Sequence, residues 1–488
     1  MNKVIINEYI MYMNQVWLFI SRLHKYLGLF FAGLMVIWFV SGFVMIFIGF
    51  PKYGKSERLL ENKNIIDEKI LKSIDSVFQK KKFTKAEIYV AGGENILKIW
   101  ENDTSFTLCS LDSEKIIERI DSLRATKIAV ENMNRLKKYR YDKIYELDQW
   151  IPWARIETDL PIHKFYFDDE NNTEIYISSS SGLIIQKHTS SERFWAYLGA
   201  IPHWLYFKDL RVRRSLWIQV VVWLSGISTF MVFIGIVLGF KRLRFKKGKT
   251  IFPYKKNLYR WHHITGFVFG AFVFIWTISG MFSLVHINLK KDENFASMLK
   301  KKWNENVFLN RNAEGVYEQI IKVFQNDSPK ILMLKNTDDG LLVESLNEKG
   351  QSIYLNGQKQ TEESLAKIYI AKAKILFKEN MKNVLLIQEY DNYYYSKKRN
   401  SPLPIIKVSF NDIDDTVFYI DVMTGEILRV VDNSSRLSRW IYNAMHSFDM
   451  NFLLSHNELR IFILIILLTG GTIVSITGML FIVKHKIK

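Results

Sequence analysis

The chain has 488 residues, 48% of them hydrophobic, with 67 Lys and Arg against 49 Asp and Glu and a formal net charge of +18. Its one cysteine, Cys109, excludes an intrachain disulfide framework and any zinc or iron–sulfur site built from the cysteines of a single chain. Much of the basic excess sits in one short loop between apolar segments, which reads as a membrane-orientation signal rather than a nucleic-acid footprint.

The first apolar segment, about 27–50, is long enough to cross a bilayer, which needs roughly 20 helical residues. It is too long and wrongly flanked for a cleaved signal peptide. A polar, mixed segment follows over 51–215, with a helical stretch around 65–80. It ends in a strand–turn–strand pattern: alternation over 174–177, a turn at Gly182, then 183–185. His203 comes next, in Ile-Pro-His-Trp-Leu, where Pro202 is suited to open a helix. The second apolar segment is 216–240.

Residues 241–263 carry Lys241, Arg242, Arg244, Lys246, Lys247, Lys249, Lys255, Lys256 and Arg260 without an acidic residue. A third apolar segment, 264–287, leads into a second long segment, 288–460, with a helical stretch around 312–325. It too ends in a hairpin pattern, 417–420, a turn at 423–425, then 427–428, followed by His446. The last apolar segment, 461–483, precedes a tail with Lys484, Lys486 and Lys488.

The Lys and Arg bias puts both termini and the basic loop in the cytoplasm and the two long segments on the far side. The resulting division is 1–50 (cytoplasmic N-terminus and first span), 51–200 (first outer domain), 201–240 (outer histidine segment and second span) and 241–263 (basic loop). It continues with 264–287 (third span), 288–440 (second outer domain) and 441–488 (outer histidine segment, fourth span and tail). The expected fold is an α-helical four-span membrane bundle built from a tandem repeat, with two α+β outer domains.

The repeat is read residue by residue. At an offset of 238, Arg22 and His24 fall on Arg260 and His262, Gly28 on Gly266, Trp38 on Trp276, and Ser41-Gly42 on Ser279-Gly280. At an offset of 243, Pro161 falls on Pro404, Lys164 on Lys407, Thr173 on Thr416, Tyr176 on Tyr419, Gly182 on Gly425 and Arg193 on Arg436. The same offset carries His203 onto His446, Thr229 onto Thr472 and Gly235 onto Gly478. Four of the ten histidines therefore belong to the repeat.

At about 100° per residue, His24, Gly28, Trp38 and Gly42 share one helix face, as do His262, Gly266, Trp276 and Gly280, while His263 lies off that stripe. Ionisable groups at membrane depth default to function, and glycine on such a face lets a flat cofactor or a backbone come close. Two imidazoles without carboxylate or thiolate are too few for zinc or non-haem iron. They suffice for haem, whose porphyrin supplies the other four nitrogens. His24 with His262 and His203 with His446 are thus candidate axial ligands of haem iron at two depths, with Gly28 and Gly266 as candidate cofactor-binding positions. Trp38 and Trp276 read more simply as packing. His163, His188, His286 and His456 lack repeat partners and read as surface or structural.

Arg-Leu-His-Lys-Tyr-Leu-Gly at 22–28 and Arg-Trp-His-His-Ile-Thr-Gly at 260–266 resemble the opening helix of the PepSY-associated transmembrane family, and 418–427 resembles a PepSY hairpin. The resemblance implies a bacterial inner-membrane protein with PepSY-like periplasmic domains, linked to iron uptake. It also implies similarity to ferric-siderophore reductases that carry haem b, two groups here, on His24, His262, His203 and His446. The expected partners are a ferric chelate or siderophore outside, the lipid bilayer, and a separate electron donor, quinol or a cytoplasmic reductase. No Gly-x-Gly-x-x-Gly signature provides a dinucleotide site of its own. Trp195, Trp204, Tyr206, Arg211, Arg213 and Arg214 are placed to guide an anionic chelate. The alternative is a non-enzymatic PepSY membrane protein that restrains a periplasmic peptidase. A metal permease ranks last, since the spans lack internal carboxylates.

Overall fold

A computed structural model describes residues 2–54, 57, 74, 78, 82–101, 105–133, 138–245, 250–285, 287–309, 315–348, 350–397 and 400–486, with the side chains of 2–7, 10 and 482–486 excepted. Lys246, Lys247, Lys249, His286, Lys488 and nearly all of the helical stretch expected at 65–80 lie outside the described residues. The chain divides into two compact units, residues 1–50, 194–288 and 434–488 in one and 51–193 with 289–433 in the other.

The first unit is helical. Among the described residues four helices are long and apolar enough to cross a membrane: α1 (Asn2–Phe47), α2 (Arg214–Arg242), α3 (Asn257–Phe282) and α4 (Asn457–Lys486). The first and third begin well before the apolar runs at 27 and 264. Helix formation continues through any residues that keep φ/ψ and the hydrogen-bond ladder, so Arg22, His24, Arg260 and His262 are helical residues, not flanking loop. Met35 and Phe39 of α1, Met231 and Val232 of α2, Val273 and Trp276 of α3, and Leu464, Leu467 and Leu468 of α4 form the core of this unit. Phe30, Phe47, Trp223 and Phe462 remain exposed at 60% or more, as lipid-facing side chains should. The chain is a multi-pass membrane protein.

The second unit is α+β. Strands β1–β4 (Lys85–Ala91, Glu94–Trp100, Phe106–Ser110, Lys115–Ile117) form an antiparallel meander. After a helix at Ser122–Asn132, β5–β8 (Tyr139–Ile144, Ile162–Phe167, Glu174–Ser178, Ile184–His188) form a four-stranded sheet. Later in the chain the order recurs: β9–β12 (Ile331–Thr337, Gly340–Asn347, Gly350–Leu355, Gln358–Lys359), a helix at Glu362–Leu376, then β13–β16 (Met381–Ile387, Ile405–Phe410, Val417–Asp421, Ile427–Val431). The expected hairpins are β7–β8 and β15–β16, each turning through a glycine at φ +69°, Gly182 and Gly425, a conformation that glycine adopts without strain.

The sequence divides 51–200 and 288–440 between two outer domains, but the two segments fall into one compact unit. The reason is edge pairing. Strands β1 and β9 join antiparallel, Ile88 opposite Leu332, and fuse two meanders into one eight-stranded sheet. An apolar edge strand left unpaired is costly, and each meander covers the other's. The helix Val316–Phe324 packs Ile320 and Val323 against Ile88, Leu97, Leu332 and Val343 of that sheet.

Candidate functional site: two histidine pairs in the helical unit

The residues that position the histidines are glycines. In a helix the Cβ of residue i tilts toward the N-terminus and covers the carbonyl one turn back. Glycine leaves that carbonyl open to a neighbouring helix. Gly235 on α2 uncovers the carbonyl of Met231, and His24 of α1 puts its Nδ1 there at 3.0 Å. A Cβ on Gly235 would lie 2.6 Å from His24 Cε1. Gly478 on α4 likewise uncovers Val474, whose carbonyl lies 3.2 Å from His262 Nδ1, and the adjacent Thr477 hydroxyl lies 3.1 Å from the same nitrogen.

Glycines also lie against the other two, where a serine hydroxyl joins or replaces the carbonyl. His203, in a short helix at Ala200–Trp204, sets Nδ1 3.1 Å from the Trp38 carbonyl and 3.1 Å from Ser41 Oγ, with its Cε1 over Gly42. His446, in the turn Met445–Ser447, sets Nδ1 3.0 Å from Ser279 Oγ, with its Cε1 over Gly280. Ser41 and Ser279 each donate to the carbonyl three residues back, Trp38 and Trp276, so each hydroxyl oxygen is left to accept from the imidazole N–H. Trp276 Nε1 also donates to the His446 carbonyl at 3.1 Å. Immediately beyond each of these two histidine turns stands a non-glycine residue in the left-handed region, Leu205 at φ +53° and Phe448 at φ +54°. Such strain persists only where the surroundings impose it, often at functional sites.

The histidines meet in pairs. The rings of His24 and His262 are 6.4 Å apart between centroids, and those of His203 and His446 are 6.1 Å apart. A metal–imidazole bond is about 2.0 Å, so two rings gripping one metal from opposite sides have centres roughly 6 Å apart. With Nδ1–H donated to a carbonyl or hydroxyl, the tautomer is fixed and Nε2 carries the lone pair, the usual arrangement behind a metal-bound imidazole. From His24 to Ser41, which touches the other pair, is roughly 25 Å of rise along α1. Among the described residues no group of three or more His, Cys, Asp or Glu is placed to hold a metal ion by itself. Each pair offers two imidazoles, a donor set that fits a group carrying nitrogen ligands of its own.

Gly28 and Gly266 touch nothing: a Cβ on either would meet no atom within 4 Å, so both face open space. The glycines in contact with the imidazoles are Gly42, Gly235, Gly280 and Gly478. For three of them a signal was in the sequence, as Ser-Gly at 41–42 and 279–280 and Thr-Gly at 477–478, whereas Gly235 follows Ile234. His263, off the stripe, is tied by Nε2 to the Gly239 carbonyl at 2.8 Å and packed by Phe252 and Tyr254. His163 and His188 are buried in the sheet unit, and His456 is exposed. Trp204, Tyr206 and Trp217 cluster, with the Arg211 guanidinium over Tyr206 and Trp217 at 5.0 and 4.5 Å, while Arg213 and Arg214 are exposed. Trp195 stands edge-on to Phe194.

No protein-family model and no curated protein matches the chain.

Proposed function

We propose that the chain is a di-haem electron carrier of the bacterial inner membrane, passing single electrons from a cytoplasmic-side donor to a ferric chelate or siderophore in the periplasm. The observation that carries this reading is the pairing of four imidazoles at two depths, each pair with ring centres near 6 Å and each Nδ1 already engaged. Bound haem iron supplies reversible one-electron chemistry at a potential set by its ligands and surroundings.

His24 and His262 would hold the inner group through Nε2, and His203 and His446 the outer one. Met231, Val474, Trp38, Ser41 and Ser279 hold the four rings in place, so little reorganisation accompanies a change of iron charge. The open space at Gly28 and Gly266 is where a planar ring can lie against α1 and α3. Reduction of a chelated ferric ion needs one electron and no acid–base pair. The donor is a quinol or a separate reductase.

The reading also takes the chain as a PepSY-associated protein made by duplication. Support comes from contacts that recur at the sequence offsets: His24 on Met231 and His262 on Val474, Ser41 on His203 and Ser279 on His446. The sheet unit repeats as well. Lys164 and Tyr176 both bond Asp148, and Lys407 and Tyr419 both bond Asp391 in the same way.

Proteoliposomes test the function. With a reduced mediator enclosed on the cytoplasmic face and a ferric chelate outside, the protein should produce ferrous chelate. The variant with all four histidines changed to alanine should not. Equal rates for the two would refute the proposal.

A further inference from the structure

Around the outer pair the two halves differ in charge. Trp217 Nε1 donates to the carbonyl of Trp204, 2.8 Å away, and Arg460 Nη1 donates to the carbonyl of Ser447, 3.2 Å away. Each carbonyl belongs to the residue directly after an outer histidine, and the two donors are 243 apart in sequence. One bond thus fixes both ligand turns, made by an indole in the first half and by a guanidinium in the second. A second guanidinium, Arg439, is 2% exposed and donates to the Asp449 carbonyl, where the first half has Ala196. The buried Asp449 carboxylate lies 3.8 Å from Arg460, whose side chain is 12% exposed. Arg211 adds a third guanidinium over Trp217. Three guanidinium groups, Arg211, Arg439 and Arg460, thus stand around the two ligand turns, with the Asp449 carboxylate beside Arg460.

The inner pair has cations too, Arg22, Lys25 and Arg260, but these are exposed. Exposed charges are screened by water and salt, whereas buried ones act through a lower dielectric.

We propose that Arg460, with Arg439 beside it, makes the outer centre the stronger electron acceptor of the two. Reduction removes one positive charge from a haem, so a buried cation nearby favours the reduced form and raises the potential. With haem bound, Arg460 would then favour an electron at the outer pair over the inner pair, the electron being supplied by the quinol or reductase. It acts through the His446 turn and its field, as a positioning residue. This rests on the di-haem reading.

The test is a potentiometric titration of the purified chain followed in the haem absorption bands. The wild type should give two midpoints, and His24→Ala, which keeps the outer group, should retain the higher one. Arg460→Gln should lower that midpoint and leave the inner one in place. Arg460→Lys should keep it near the wild-type value, and Arg460→Trp, which copies the first half, should lower it as Gln does. Unchanged midpoints in Arg460→Gln, or an outer midpoint below the inner one, would overturn the proposal. So would loss of the outer haem in both Gln and Lys variants, because Arg460 would then be holding the group rather than tuning it. A wild-type chain with no haem spectrum would instead strike the di-haem reading itself.

Discussion

Gly235 carries a stringent single-residue prediction. An alanine there would bring a Cβ within 2.6 Å of His24 Cε1, so the ring must leave the Met231 carbonyl. Groups that orient a metal-bound imidazole are worth about 10–100-fold in affinity. Gly235→Ala should therefore weaken inner haem retention by about that factor, measured by haem loss to an apo-globin acceptor, with the outer haem unaffected. Gly28→Leu makes a complementary test. No protein atom lies within 4 Å of a Cβ at Gly28, so a larger side chain should leave the melting temperature of the haem-free chain unchanged while displacing the inner haem. A fall in melting temperature with haem content preserved would mean that the space at Gly28 serves packing alone. The histidines were legible in the sequence because the offset brought each onto another histidine. Gly235 and Gly478, although matched to each other by the same offset, could not be assigned a partner, because the notch they open is on a different helix from the imidazole that fills it.

At the scale of the element, the sheet β5–β8 depends on a buried polar cluster. Lys164 pairs with Asp148 at 2.7 Å and with Glu174 at 3.1 Å, and Tyr176 donates to Asp148 at 2.7 Å. Burial pushes the Asp148 carboxyl up, but the charge and hydrogen bond of the Lys164 ammonium, with the bonds from Tyr176 and the Gln149 N–H, together outweigh it and hold the carboxyl below its ordinary range. Removing one partner of a buried pair costs about 3–5 kcal/mol. Lys164→Met should cost about that much, seen as a lower melting transition. Lys407→Met should cost less, since Asp391 keeps the backbone N–H groups of Tyr393 and Tyr394 at 2.8 and 2.7 Å. His188 adds a pH dependence. Burial first, and then the Arg193 and Lys164 charges, hold its imidazole down at about 3, against an ordinary 6.5. The unfolded chain takes up a proton below 6.5 that the folded chain refuses, so stability falls with pH from 6.5 down toward 3, by about 1.4 kcal/mol per pH unit from this one group. His188→Val, which copies Val431, should flatten the slope of melting temperature against pH over that window. An unchanged slope would contradict the assignment. The hairpins at Gly182 and Gly425 could be read from alternation and turn residues. The β1–β9 pairing could not, because the two edges meet across about 240 residues of chain and neither carries a local mark of its partner.

For the whole molecule, four helices with exposed apolar faces fix a multi-pass membrane protein, and the Lys and Arg of the loop between α2 and α3 set the orientation we propose. A reporter active only in the cytoplasm should be active when fused after Lys488 and silent when inserted at the exposed turn near Asn171, and the reverse pattern would invert the direction of electron flow. Chain reversal at each membrane face brings α1 beside α2 and α3 beside α4, which is why histidines far apart in sequence hang on carbonyls of the neighbouring helix. The central claim, that these imidazoles grip haem iron in pairs, is tested most directly by the haem content and low-temperature electron paramagnetic resonance of the protein purified from haem-replete cells. The account predicts two low-spin, bis-imidazole b-type haems per chain, falling to one in His24→Ala and in His446→Ala. A colourless chain, or a haem content unchanged when all four histidines are replaced by alanine, would contradict it.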